Sequence, residues 1–304
     1  MNFGVAVINR ALAFGTPLLW VALGEICAER AGVINLTLDG MMLISALAAF
    51  AAAQLTHSTG WGLCAGMLMG GLAALPQAFA SITLRANQCV AGLALAMFWP
   101  GVASLAGRHW VGITLDRPMQ PVHVPYLGLL PGFVGAVVSD QSSLTYLVLA
   151  VAVALAYFFK RTRWGVIWRS VGEAPEAADA CGYNVAAIRY GAVALGGVLA
   201  GVGGAYLSLY YQPAWIEGAS GGMGWIALSI VIFSGWNPIS AVGGALAFGA
   251  LYYLSFRLQS QVEPHLLKVL PYLSVVLVLT LSAVRQRAGA APRALGLPFF
   301  RGDR

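Results

Sequence analysis

The sequence predicts an all-α protein, a polytopic transmembrane helical bundle of about eight to ten spans, some of them broken. Three observations lead there. Of 304 residues, 59% are hydrophobic and only 9% are charged, against about 25% charged in an average soluble domain. The apolar residues fall into runs of about 20, the length that crosses a hydrocarbon core as a helix. These runs are continuous, whereas a transmembrane barrel would alternate within segments of about ten residues.

The first run, Val5 to Ala28, reads as a retained span and not a signal peptide. It is too long for a signal core, and Glu25, Glu29 and Arg30 stand where a small-residue cleavage site would lie. The stretch from Glu29 to Met42 then brings Asn35, Thr37 and Asp39 into the start of the next span, which ends near Leu55. The three alternate, so an extended chain would place them on one face. Asp39 is positioned to cap the helix that follows; the alternative is a broken helix that presents polar groups to a solute path.

A third span, Gly62 to Leu84, contains Pro76, tolerable in a membrane when neighbours satisfy the freed carbonyl. Arg85-Ala86-Asn87-Gln88 makes a polar turn, and a fourth span, Cys89 to Ala106, is expected to break at Pro100-Gly101. The loop from Gly107 to Ser143 sets Arg108 and Arg117 against Asp116 and Asp140, which reads as the outward side. Pro118, Pro121, Pro125 and Pro131 should keep it irregular. A fifth span runs from Leu144 to Phe159.

The most charged internal segment follows, Lys160 to Arg189. Within it Pro175 is placed to begin a short helix and Gly182 to end it. Glu176 and Asp179 suit the helix dipole, and Ala177, Ala178 and Ala180 offer a small-residue surface to a partner. An ordinary solvated loop is the other reading. The net charge of +6 concentrates here and in the tail after Ala283, as the positive-inside rule expects of cytoplasmic segments. The basic excess thus reports membrane orientation and not nucleic-acid binding. Five spans before this loop place the N-terminus outside.

Beyond it, Tyr190 to Tyr211 carries Gly197-x-x-x-Gly201 with Gly196, Ala200 and Gly204 on an adjacent stripe, a pattern for close helix packing. Gly218 to Gly224 breaks the chain before a short apolar segment, Trp225 to Ser234, and Gly235-Trp236-Asn237-Pro238 makes a second break. Two further spans are expected, Ile239 to Leu258 and Leu266 to Val284. Residues 1–284 form the transmembrane domain on this reading, with 285–304 a basic, poorly ordered cytoplasmic tail.

Enzymatic chemistry is missing. Lys160 and Lys268 lack the glycine loop of a nucleotide-binding Walker motif. His57, His109, His123 and His265 are scattered, and no HExxH or GxSxG occurs. Cys27, Cys64, Cys89 and Cys181 show neither metal-ligand spacing nor a disulfide framework. No catalytic residue, metal ligand or bound cofactor is expected.

Gly24-Glu25-Ile26-Cys27-Ala28-Glu29-Arg30-Ala31-Gly32-Val33-Ile34-Asn35-Leu36 followed by Asp39-Gly40-Met41-Met42-Leu43 resembles the membrane permeases of bacterial ABC importers of the branched-chain amino acid, simple-sugar and nucleoside group. Arg85 to Leu95 is similar to the shorter permease of nucleoside importers. Gly224 to Leu228 and Trp236-Asn237-Pro238 match a later motif. The chain departs from the pattern at Thr37 and Asp39, where Gly and Glu are usual, and at Ala96 and Ala174, where Asn is usual.

The resemblance implies a multi-pass permease of the cytoplasmic (inner) membrane, surrounded by lipid. Its partners would be a cytoplasmic ATPase that uses the ATP, an extracytoplasmic solute-binding protein, and a second permease in a heterodimer, a homodimer being the alternative. It identifies Gly172, Glu173, Pro175, Glu176, Ala177, Ala178 and Gly182 with the coupling helix that docks on the ATPase. Candidate solute-path residues are Asn35, Thr37, Asp39, Asn87, Gln88, Trp99, Trp225 and Asn237, with a nucleoside the expected solute. Sugar or branched-chain amino acid permeases are alternatives, as is a stand-alone secondary carrier in which Asp39 titrates.

Overall fold

The computed structural model describes residues 3–123, 140–258 and 291–301, with single positions 273, 276 and 280. Seven of its helices are long and apolar enough to cross a membrane. The expected span Leu266–Val284 falls almost wholly outside the described residues, as do the 284/285 boundary, Pro125 and Pro131.

Helix α1 covers Phe3–Arg30 and α2 Leu38–Thr56. Helix α3, Thr59–Ala78, continues into a π-helical turn at Phe79–Thr83. The widening follows Pro76, and Phe79 N–H is shared between the Leu75 and Pro76 carbonyls. Helix α4 is Gln88–Gly107, and two-residue strands β1 (Val122–His123) and β2 (Asp140–Gln141) pair antiparallel. Then come α5 (Ser143–Arg161), α6 (Arg163–Glu173), α7 (Pro175–Ala180) and α8 (Val185–Tyr206), the last ending in a π turn at Leu207–Tyr211. Helix α9, Met223–Phe233, is too short to span, and α10 is Pro238–Leu258.

The interior is built from α1, α2, α3 and α8, with α10 along α1 and α4 outside α2. Burial divides them. The apolar windows of α1 and the α8 span are 89% and 83% buried, against 11% for α4. The glycines explain how the central helices approach. A methyl at Gly66 would stand 2.9 Å from the Ala205 Cβ, and one at Gly70 would meet the Gly201 Cα at 2.7 Å. Without hydrophobic driving force between helices in lipid, such close backbone contact supplies the attraction.

One expectation requires correction. Helix α4 does not break at Pro100-Gly101. The Ala96 carbonyl that Pro100 cannot serve lies against Gly40 of α2, where a neighbouring helix shields the gap. The described part of the outward loop, residues 107–123, follows an irregular path that is tied to residues 213–215. Val111 and Thr114 form bridges to Trp215 and Ala214, and Leu115 N–H donates to the Pro213 carbonyl at 2.8 Å.

Candidate functional site: a charged helix pair and a polar break

The charged segment folds as a pair of short helices. Thr162 caps α6 through a hydrogen bond from Gly165 N–H at 3.0 Å, and Trp168 anchors this helix by donating to the Cys27 carbonyl of α1 at 2.8 Å. Gly172 backs directly onto the Arg30 carbonyl. Glu173 ends α6, and Pro175 occupies the first turn of α7. Helix α7 has two faces. Pro175 and Ala178 are buried, with Ala178 packed beside Val171 and Val185, while Glu176, Ala177 and Ala180 are exposed. Gly182 closes the helix at φ +86°, with Gly182 N–H bonded to Asp179 O and Tyr183 N–H to Ala178 O, the geometry glycine makes easy at a C-terminus. Sequence reasoning missed α6, since its amphipathic pattern is hidden within a charged run.

The second region is the break between α1 and α2. After Arg30 the chain turns back alongside α1, so that Asn35 N–H donates to the Glu25 carboxylate at 2.8 Å. The Asn35 side chain accepts from Thr37 N–H at 3.1 Å. Both Asn35 and Thr37 are fully buried, as internal struts of the turn. Gln88 and Gln77 hold the other side. Gln88 accepts from Ile34 N–H at 2.8 Å, and Gln77 donates to the Ile34 and Gln88 carbonyls.

Asp39 does not cap its own helix. The α2 N-cap position is Thr37, without a side-chain cap bond. The Asp39 carboxylate instead accepts from Gly224 N–H and the Ser220 hydroxyl, both at 3.1 Å. It thereby caps α9, whose own N-cap residue, Gly222, has no side chain to offer. Gly224 is required at this contact, because a methyl there would lie 2.8 Å from the Asp39 Cβ.

The predicted solute-path residues therefore separate. Asp39, Trp225 on the first turn of α9, and Trp99, whose Cβ packs against Gly40, gather around one junction of α2, α4 and α9. Asn87 is the exposed N-cap of α4, accepting from Cys89 and Val90 N–H. Asn237 likewise accepts from Ile239 N–H at the start of α10. Neither joins the junction. Sequence reasoning gave no role to Glu29, which accepts from the Trp236 indole N–H, or to Arg30, which donates to the Trp236 carbonyl at 2.9 Å. The i, i+4 spacing of Glu25 and Glu29 on one helix face was the available signal. No group of three or more His, Cys, Asp or Glu able to hold a metal occurs among the described residues.

Residues 7–280 match the family described as "Branched-chain amino acid transport system / permease component". The chain belongs to this permease family. It is 32% identical to the "Guanosine ABC transporter permease protein NupQ" of Bacillus subtilis, over 98% of this chain and 97% of that one. It is 32% identical to the "Nucleoside ABC transporter permease protein NupC" of Lactococcus lactis, over 97% and 96%. It is also 33% identical to the "Putative glucose ABC transporter permease protein TsgC13" of Haloferax volcanii, over 97% of each chain. A solved structure, "An inward-facing conformation of a putative metal-chelate type ABC transporter", shares the fold with a TM-score of 0.53 at 16% identity, covering 92% of this chain and 85% of that one. The permease is thus a multi-pass inner-membrane transport subunit and not an enzyme. Membership implies an ATPase and a solute-binding partner.

Proposed function

We propose that this permease forms the path for ATP-driven uptake of a nucleoside, working beside a second, different permease. The observation that carries the solute is the pair of relatives named for guanosine and nucleoside transport, each aligned over nearly the whole chain. The junction of Asp39, Ser220, Trp99 and Trp225 suits such a solute. Its polar groups would bond the solute and its two tryptophans would offer a ring to the base; stacking of a base on an aromatic ring is worth about 1–3 kcal/mol where measured. The glucose-named relative favours a second reading, a sugar permease, in which the same polar groups would serve hydroxyls and the indoles would matter less.

On the coupling side, the exposed face of α7 formed by Glu176 and Ala177 would dock on the ATPase, with Gly172, Glu173, Pro175, Ala178 and Gly182 setting its position. ATP would bind that partner and not this chain. The exposed apolar side of α4, including Leu93, Met97 and Phe98, is available to lipid or to the second permease. Competition uptake in cells carrying the whole system tests the solute. Labelled guanosine or uridine should enter in an ATP-dependent way and be displaced by excess nucleoside but not by glucose. Displacement by glucose alone would replace the nucleoside reading with the sugar one.

A further inference from the structure

The segment 291–301, expected to be poorly ordered, is laid across the coupling end. It has no helix or strand of its own, and several of its backbone groups bond to the bundle. Ala294 N–H donates to the Gly172 carbonyl at 2.9 Å, and Gly296 N–H to the Gly32 carbonyl at 3.2 Å. Arg293 N–H reaches the Glu173 carboxylate at 3.3 Å. Side chains continue the attachment. Phe299 packs beside Val171, Ala178 and Val185, the Arg85 guanidinium lies 4.5 Å over the Phe300 ring, and Arg301 stands 3.4 Å from the Asp179 carboxylate.

Arg189 pins the arrangement. It is 2% exposed, and its Nη1 donates to the Leu297 carbonyl at 3.1 Å. No carboxylate lies within ion-pair distance of it among the described residues. A buried cation without its acceptor is costly, so the segment and Arg189 stabilise each other. Gly32, at φ +88°, is where the pieces converge. A methyl there would stand 3.1 Å from Arg189 Nη2, 3.2 Å from the Ala294 carbonyl oxygen and 3.4 Å from the Gly172 Cα.

We propose that residues 291–301 are a clasp that fixes the coupling helix α7 to the Gly32 turn, so that the two move as one body during transport. This rests on the reading of α7 as the ATPase-docking element. A six-residue helix has little stability of its own. Only Pro175 and Ala178 bury it against its surroundings. The clasp grips α6 and α7 on one side, through Gly172, Glu173, Ala178 and Asp179. On the other it grips Gly32, Arg85 and Arg189. Gly32 leads directly into the stretch that carries Asn35 and Asp39, so a push on α7 would reach the solute junction through this turn.

The test uses the complete reconstituted transporter and reads ATP hydrolysed per solute moved, a ratio that loss of folded protein alone would not change. Phe299→Ala with Phe300→Ala should raise the ratio at least threefold in assembled complexes, and Ala177→Trp should raise it further. In a background with Cys64, Cys89 and Cys181 replaced by Ser, Asp179→Cys and Arg301→Cys are then bridged by a short bis-maleimide. The linked protein should transport as fast as the same unlinked double variant. Transport abolished by the link would overturn the clasp, since the segment would have to release. An unchanged ratio in the Phe299 and Phe300 variant, with Ala177→Trp uncoupled, would overturn the clasp alone. An unchanged ratio with Ala177→Trp would remove the docking role of α7 and the clasp with it.

Discussion

The contact between α3 and α8 and the junction between α2 and α9 solve opposite problems. In the first, two helices touch along Gly66, Gly70, Gly197 and Gly201 with nothing larger than an alanine methyl between them. In the second, two helix beginnings meet head to head around a carboxylate, with Gly224 N–H and Ser220 bonded to Asp39. The first tolerates no added atom and needs no specific chemistry; the second depends on one acceptor. The lesson is that rigidity and polarity are kept apart here. The central helices supply a fixed frame, and the polar break, joined to α6 through Gly32, is where the proposed solute path would run.

The largest effect should come from the frame. Gly70→Leu would force a side chain where even a methyl sits 2.7 Å from the Gly201 Cα. Overpacking costs about 1–3 kcal/mol or more, enough to abolish a monodisperse peak in detergent. Gly191→Ala, on α8 but with nothing within 4 Å of the added methyl, should elute and melt like the parent. Equal loss in both would mean that the close α3–α8 contact does not set the result, since both substitutions raise helix propensity.

Next is the junction. Asp39→Ala leaves Gly224 N–H and the Ser220 hydroxyl without their acceptor, at a cost of about 1–3 kcal/mol, and should reduce uptake at least tenfold. Asp39→Asn keeps an acceptor oxygen and should recover much of the stability, as read by thermal melting. A full-length melt unchanged in Asp39→Ala would show that Asp39 does not hold α9.

A smaller change is expected at the Glu29–Trp236 contact. Trp236→Phe keeps the ring and removes the N–H that Glu29 accepts, so the melting temperature should fall by a few degrees, corresponding to about 1 kcal/mol. Glu29→Gln retains an acceptor and should fall less. The smallest effect belongs to Asn87. Asn87→Ala removes an exposed α4 cap, at the low end of the range for caps, about 0.5 kcal/mol, and Asn87→Ser should restore it. Solute affinity should be the same in all three proteins, which an affinity loss in both variants would contradict by making Asn87 a ligand.

Much of the frame was legible in the sequence because its determinants are local. The Gly197-x-x-x-Gly201 spacing, the Pro175 start and the Gly182 stop each act within one or two turns of chain, and each is found where it was read. The polar break was recognised as a break, but its wiring was not. The alternation of Asn35, Thr37 and Asp39 supposes an extended chain, but the chain turns at 36–37 and α2 begins at Leu38; the partners of Asp39 lie at Ser220 and Gly224, and no periodicity encodes such a pairing. Pro100 was misread because the helix that shields the Ala96 carbonyl is remote in sequence. Residues 291–301 were misread for a related reason. A basic, proline-containing tail looks disordered until the buried Arg189 and the Gly172 and Gly32 carbonyls that hold it are in view.

The central claim is that this permease carries solute only when a separate ATPase drives it. The most direct measurement is uptake of labelled guanosine into vesicles that contain the permeases and the solute-binding protein, with and without the ATPase subunit, at fixed ATP. The account predicts uptake that requires both the ATPase and hydrolysable ATP and that ignores an imposed proton gradient. Uptake that persists without the ATPase, follows the proton gradient and vanishes in Asp39→Asn would contradict it and establish a secondary carrier.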